Sequence, residues 1–177
     1  MYLISIYFDE SSSIQLQKLI TDVAAKTGNS FMLDNHVPPH ITIAAVETKQ
    51  EDKLIACIDR LVTTKLKADG IQWVSVGAFM PQVLFVQPVL NKYLHYLSET
   101  LSEELKEIGE TIISPYYQPF AWLPHCTIAK QLTGEQMLEG YKVLQKQFVP
   151  MGGRVIRIGV ARTNPHRDIK IWEVGEP

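Results

Sequence analysis

Pro39-His40-Ile41-Thr42-Ile43-Ala44 and Pro124-His125-Cys126-Thr127-Ile128-Ala129 match at five of six positions, in order. Along a strand, successive side chains point to opposite faces. His40 and Thr42 then share one face, and Ile41 and Ile43 share the other. His125 and Thr127 oppose Cys126 and Ile128 in the same way. Each stretch offers an imidazole beside a hydroxyl, on a strand that apolar residues anchor from behind. The two histidines lie 85 residues apart in a chain of 177. That spacing implies a duplicated unit that brings them together.

The sequence around each stretch supports the duplication. Tyr2 to Phe8 reads as a buried strand. Ser12 and Gln15 have capping-box spacing, Leu16, Leu19, Ile20 and Val23 follow at helical spacing, and Gly28 is a terminator. Asn29 to Pro38 is loop-like, with Phe31 to Leu33 able to pair briefly with a strand. His40 to Val46 is the first motif strand. Thr48 and Glu51 again have capping-box spacing, and Leu54, Ile55, Ile58, Leu61 and Val62 stripe a second helix that Gly70 ends. Ile71 to Phe79 is the next strand.

The second half repeats this order. Val83 to Val86 is a strand, and Tyr93, Leu94, Leu97, Leu101, Leu105 and Ile108 trace a helix ending at Gly109. A loop rich in proline and aromatics leads to the second motif strand. Thr133 and Gln136 give a third capping box before Met137, Leu138, Tyr141 and Leu144. Val155 to Ala161 and Ile169 to Val174 close the chain as strands, with a turn at Asn164-Pro165. Each half thus reads strand, helix, motif strand, helix, strand. The expected fold class is α+β, a duplicated unit forming two lobes with sheets around a central cleft. A single domain spans 1–177, with pseudo-repeat halves about 1–80 and 81–177.

Composition narrows the function classes. The hydrophobic fraction is 46% and the charged fraction 20%, ordinary for a globular domain. A net charge of −2 argues against a general polyanion binder and against extended nucleic-acid binding. Arg154, Arg157, Arg162, Arg167 and Lys170 are a local basic run, read as a solvated strand face rather than a phosphate-facing wall. No apolar run reaches the ~20 residues of a membrane span. Tyr2 to Phe8 has no preceding basic residue and is followed by Asp9-Glu10, unlike a signal peptide. Cys57 and Cys126 give no disulfide or metal framework. A reducing cytoplasmic location is expected.

Two histidines across a cleft suit general acid–base catalysis. Unperturbed imidazole titrates near pH 6.5, so at neutral pH one ring can accept a proton while the other donates. In-line displacement at phosphorus needs such groups on opposite sides of the phosphate. The threonine hydroxyls can hydrogen-bond its non-bridging oxygens. No carboxylate cluster accompanies the motifs, so the scheme needs no metal and no cofactor.

Two His-x-Thr-aliphatic motifs, one in each half of a chain this size, resemble those of the two-histidine (2H) phosphoesterase superfamily. The similar branch is the RNA 2′,3′-cyclic phosphodiesterases, also called 2′-5′ RNA ligase-like proteins. The resemblance implies a bilobal fold and metal-independent opening of a 2′,3′-cyclic phosphate to a 2′-phosphate. It implies catalytic roles for His40 and His125 and phosphate binding by Thr42 and Thr127. Many relatives carry a basic residue, often Arg, shortly after the second motif. Lys130 stands there, keeping the charge without the bidentate fork. RNA-directed members usually carry more positive charge, which favours a small cyclic nucleotide or an RNA end as the partner.

Three other readings stay open at this level. One is a module of the same fold that binds a nucleotide without turnover. A second is a relative acting on a non-RNA phosphodiester, such as a cyclic phosphate made from ADP-ribose. The third is a zinc site drawing on His36, His40 and His125. Tyr116, Tyr117, Phe120 and Trp122 are candidates for stacking on a base. His36 reads as solvated, His95 as structural, and His166 carries no assignment.

Overall fold

The computed structural model describes residues 1–163 and 167–175. The chain runs β1 (Tyr2–Phe8), α1 (Glu10–Thr27), α2 (Phe31–Asp34), β2 (Ile41–Glu47), α3 (Glu51–Thr64) and β3 (Asp69–Phe79). It continues with β4 (Val83–Pro88), α4 (Lys92–Lys106), β5 (Ile112–Ile113), a 3₁₀ turn at Pro115–Tyr117 and β6 (Cys126–Ala129). It closes with α5 (Gly134–Gln147), β7 (Met151–Arg162) and β8 (Arg167–Glu173). The strands form an antiparallel sheet in the order β5-β2-β1-β7-β3-β4-β6, with β8 also beside β7. The mixed α+β class is as expected.

The third long strand of each half crosses to the other half's strands. β3 pairs with β4 and with β7, and β7 pairs with β1. β7 makes both joins because it is 12 residues long. Met151 to Val155 lie opposite β3, and Val155 to Arg162 lie opposite β1. Two groups of strands, each carrying one motif, thereby become a single hydrogen-bonded path. Trp73 of β3 is fully buried at this join and meets the Phe8 ring edge-on, centroids 5.0 Å apart. Farther along β3, Gly77 admits a close approach of β4, since a Cβ would stand 2.5 Å from the Phe85 ring.

The helix ends differ from the sequence reading in instructive ways. α1 is capped by Asp9, not Ser12: the Asp9 carboxylate accepts from the Ser12 N–H at 3.0 Å and from its hydroxyl at 2.9 Å. Gly28 does end α1, in the left-handed region at φ 71°. Residues 31–33 belong to α2, not to a strand. The Asn29 side chain accepts from the Phe31 N–H and the Ser30 hydroxyl donates to Asp34, so local bonds close a helical turn. The Thr48–Glu51 box does not form; Thr48 accepts from the Gln50 N–H instead. α3 stops at Thr64, and Gly70 lies inside β3, where ladder bonds to β7 prevail over its turn propensity. α4 likewise ends at Lys106, before Gly109. Only Thr133–Gln136 is a true capping box, with both reciprocal bonds present. The turn expected at Asn164-Pro165, and His166, lie outside the described residues.

Candidate active site

His40 and His125 each sit one residue before their strand, β2 or β6. The expected alternation holds: Ile41, Ile43, Cys126 and Ile128 are buried behind the motifs. His40, Thr42, His125, Thr127 and Lys130 line one cavity of about 400 Å³. Phe31, Met32, Asn35 and Val37 wall one side, and Tyr117 is a further lining residue. The five residues singled out from the sequence are therefore brought together.

The two histidines are held alike. His40 Nδ1 lies 2.8 Å from the Pro38 carbonyl, and His125 Nδ1 lies 2.8 Å from the Leu123 carbonyl. A carbonyl can only accept, so each Nδ1 carries the proton and donates it. In the neutral ring each Nε2 then carries no proton and can accept one. The proline opening each motif has no N–H and keeps the preceding residue extended, which aims that residue's carbonyl back at the ring.

Their surroundings differ. His125 is packed among Phe79 at 4.8 Å and Phe85 at 5.4 Å between ring centroids. Burial against these rings lowers its pKa, and the Leu123 carbonyl offsets this in part. His40 has Tyr7 at 6.3 Å. The threonines differ as well. Thr42 is opposite Ser5 in the β1–β2 ladder, with hydroxyl oxygens 3.3 Å apart. Thr127 is opposite Phe85 in the β4–β6 ladder.

Two contacts tie one motif to the other. The Trp122 indole N–H donates to the Thr42 carbonyl at 3.1 Å. The Cys126 thiol is pushed up to about 12 by complete burial, countered by the backbone N–H of His40 facing it. Trp122 is thus a structural strut, and Tyr116 and Phe120 are exposed and outside the cavity lining. Of the four aromatics considered for base stacking, Tyr117 alone lines the cavity. Sequence reasoning missed Phe31 and Asn35, because their stretch reads as a loop and not as a helical turn beside the cleft.

Lys130 rests over the Phe31 ring, 4.6 Å from its centroid, and partial burial lowers its pKa. The basic run near the C-terminus does not reach the site. Arg162 pairs with Glu51 at 2.7 Å, Lys170 pairs with Asp59 at 2.9 Å, and Arg157 lies over Tyr7. His36 lines a separate depression, and no group of three His, Cys, Asp or Glu among the described residues has metal-site geometry. Among the described residues no helix is long and apolar enough to cross a membrane.

Solved structures share this fold. TT0787 of Thermus thermophilus superposes with a TM-score of 0.66 at 16% identity, covering 99% of each chain. A crystal structure described as a phosphoesterase gives 0.65 at 14%, over 99% of this chain and 98% of that one. E. coli LigT complexed with 3′-AMP gives 0.62 at 16%, over 98% of this chain and 97% of that one. No curated protein matches the sequence. The sequence model of the 2′-5′ RNA ligase superfamily covers residues 10–167, nearly the whole chain, so this protein belongs to that superfamily, the two-histidine phosphoesterases.

Proposed function

We propose that the protein is a metal-independent phosphodiesterase that opens a 2′,3′-cyclic phosphate on a nucleotide or RNA end to a 2′-phosphate. The observation that carries this is the matched pair of Nδ1-anchored histidines on one cavity, each beside a motif threonine. Water attacks phosphorus as one Nε2 takes its proton, and the other Nε2–H protonates the departing 3′ oxygen. Thr42, Thr127 and the Lys130 ammonium face the phosphate oxygens, where negative charge builds. LigT has been crystallised with 3′-AMP, with ATP and with NADP+. A mononucleotide-sized ligand suits the 400 Å³ cavity. The site's apolar wall suits the role of base to His125, since burial keeps that ring neutral.

Incubation with a panel of 2′,3′-cyclic nucleotides, an RNA bearing a cyclic end and cyclic phosphates of ADP-ribose tests the reading. Release of 2′-phosphates is the expected result, and the rate should survive EDTA. Binding without turnover across the panel would make the protein a nucleotide-binding module. Loss of turnover in EDTA with restoration by zinc would replace the acid–base scheme with a metal one.

The pH profile tests the assignment of base. The rate should rise and fall around two apparent pKa values that belong to the histidine pair. The acid limb reports the base, which must be neutral to act. Phe79→Ala admits water to His125 and relieves the desolvation that lowers its pKa. The pKa then rises, and the acid limb should move to higher pH. An unmoved acid limb would reject His125 as base. The same shift bears on stability. In the unfolded chain His125 binds a proton near pH 6.5, whereas the folded site resists it. Stability from this group is therefore present above pH 6.5 and is lost as pH falls below it.

A further inference from the structure

Asn29 belongs to neither motif and stands outside the cavity lining, between α1 and α2. Its side-chain amide nevertheless joins two turns that border the cavity. Nδ2 donates to the Gln131 carbonyl at 3.1 Å, 102 residues away in sequence. Oδ1 accepts from the Phe31 N–H at 3.2 Å. A carbonyl only accepts and an N–H only donates, so one orientation of the amide serves both partners. The Asn29 N–H donates to the Thr27 hydroxyl at 3.2 Å, which ties the residue to the end of α1.

The two turns carry Phe31 and Lys130, which both line the cavity and meet there, the ammonium 4.6 Å from the ring centroid. Lys130 is half-buried and has no carboxylate partner among the described residues. A lysine stem rotates freely, and its ammonium is a point charge without a fixed fork. A ring face attracts that charge only while the charge lies over it, so the hold depends on the register of the two turns. The lysine side of this register is pinned twice. Gln131 sits in the left-handed region at φ 60°, an uncommon place for a residue with a side chain. Its carbonyl is taken by Asn29, and the next N–H, that of Leu132, donates to the Gln82 carbonyl at 3.1 Å.

We propose that Asn29 is a positioning residue for Lys130: its amide locks the Phe31 turn to the turn after β6 and so keeps the ammonium over the Phe31 ring, at the wall where the substrate phosphate binds. The proposal rests on the phosphoesterase reading above. It gives the cation of the site the fixed place that a lysine lacks by itself. A charge held in advance needs no reorientation as negative charge builds on the phosphate. Phe31 also acquires a role. The ring face under the ammonium is closed to a stacked base, so Phe31 serves the phosphate end of the ligand.

Two readouts test this, titration with inorganic phosphate and the proton resonances of the Lys130 side chain. In the parent, the methylene next to the ammonium should be shifted upfield by the Phe31 ring current, and Phe31→Leu should abolish that shift. Asn29→Ala, which removes both amide bonds and leaves Phe31 and Lys130 in place, should move the resonance toward its position in Phe31→Leu. Lys130→Met should weaken phosphate binding about 10- to 100-fold, the usual effect of losing a hydrogen bond between charged groups. Asn29→Ala and Phe31→Leu should each weaken it about three- to tenfold, and either one added to Lys130→Met should cost less than roughly a further twofold. Parent-like affinity with an unmoved Lys130 resonance in Asn29→Ala overturns the proposal, as does a loss that multiplies fully with that of Lys130→Met. A variant that is merely less stable would change its melting temperature and leave the resonance where it was, which also overturns it. If the parent neither binds phosphate nor opens a cyclic phosphate, the phosphoesterase reading fails on its own, and the resonance decides the clamp: a lost upfield shift in Asn29→Ala supports it and a retained one overturns it.

Discussion

Alanine at either His40 or His125 is expected to lower turnover of a 2′,3′-cyclic nucleotide by about 10²–10⁴-fold, the usual contribution of one general acid or base. That corresponds to roughly 2.7–5.5 kcal/mol of transition-state stabilisation. A backbone carbonyl, from Pro38 or Leu123, anchors each ring, and each histidine precedes its strand rather than forming part of it. Truncation therefore leaves the ladders of β2 and β6 intact, and the melting temperature should change little. The double variant should lose much less than the product of the two single losses, because both rings serve one transition state. Substrate affinity should fall far less than turnover, since Thr127, Lys130 and Tyr117 still line the cavity. His95→Ala is the control: that ring packs against Phe120 at 5.5 Å, outside the cavity, and should leave the rate near the parent's. A parent-like rate in either single variant removes that histidine from the mechanism.

Trp73→Ala should produce the largest loss of stability, about 3–5 kcal/mol. The indole is fully buried where β3 meets β7, and Phe8 packs edge-on against it. Removing it leaves a cavity at the β3–β7 seam, where the strands of the two halves join. For a chain of this size the melting temperature should fall by roughly 6–20 °C. Trp73→Phe should cost much less. The indole N–H has no hydrogen-bond partner among the described residues, so phenylalanine keeps most of the packing and removes an unpaired buried donor. Thermal unfolding of the two variants checks this. Equal destabilisation by both would mean that the N–H has a partner after all.

Much of the site could be read from the sequence because its signal is periodic and repeated. His40 with Thr42 and His125 with Thr127 occupy alternate positions, and alternation survives any tertiary context in which one face is buried. Gly28 was legible for a similar reason, since its left-handed backbone conformation strongly favours glycine. Gly70 and Gly109 carried the same local signal, but ladder pairing placed the first inside β3 and α4 ended before the second. Ser12 lost the cap to Asp9 because Asp9 also binds the Arg154 N–H across the sheet, a contact no local pattern contains. Phe31 and Asn35 were not legible as a cavity wall, because their short helical turn reads as a loop and meets the motif strands only in the fold. The exchange of β3 and β7 between halves was hidden for the same reason: strand order is a property of pairing, not of spacing.

That exchange also limits how the cavity can move. A hinge needs a stretch of chain that few bonds cross. Here β7 is hydrogen-bonded to β1 along one part of its length and to β3 along another, so the strands bearing the two histidines are spliced through one rod. The two motifs cannot swing apart without tearing that rod out of the sheet. Access to the cavity then falls to the small pieces at its rim, α2 and the turn at Pro115–Tyr117, while the distance between the His40 and His125 rings stays fixed. The molecule works less like a pair of jaws than like a vice set once, at folding.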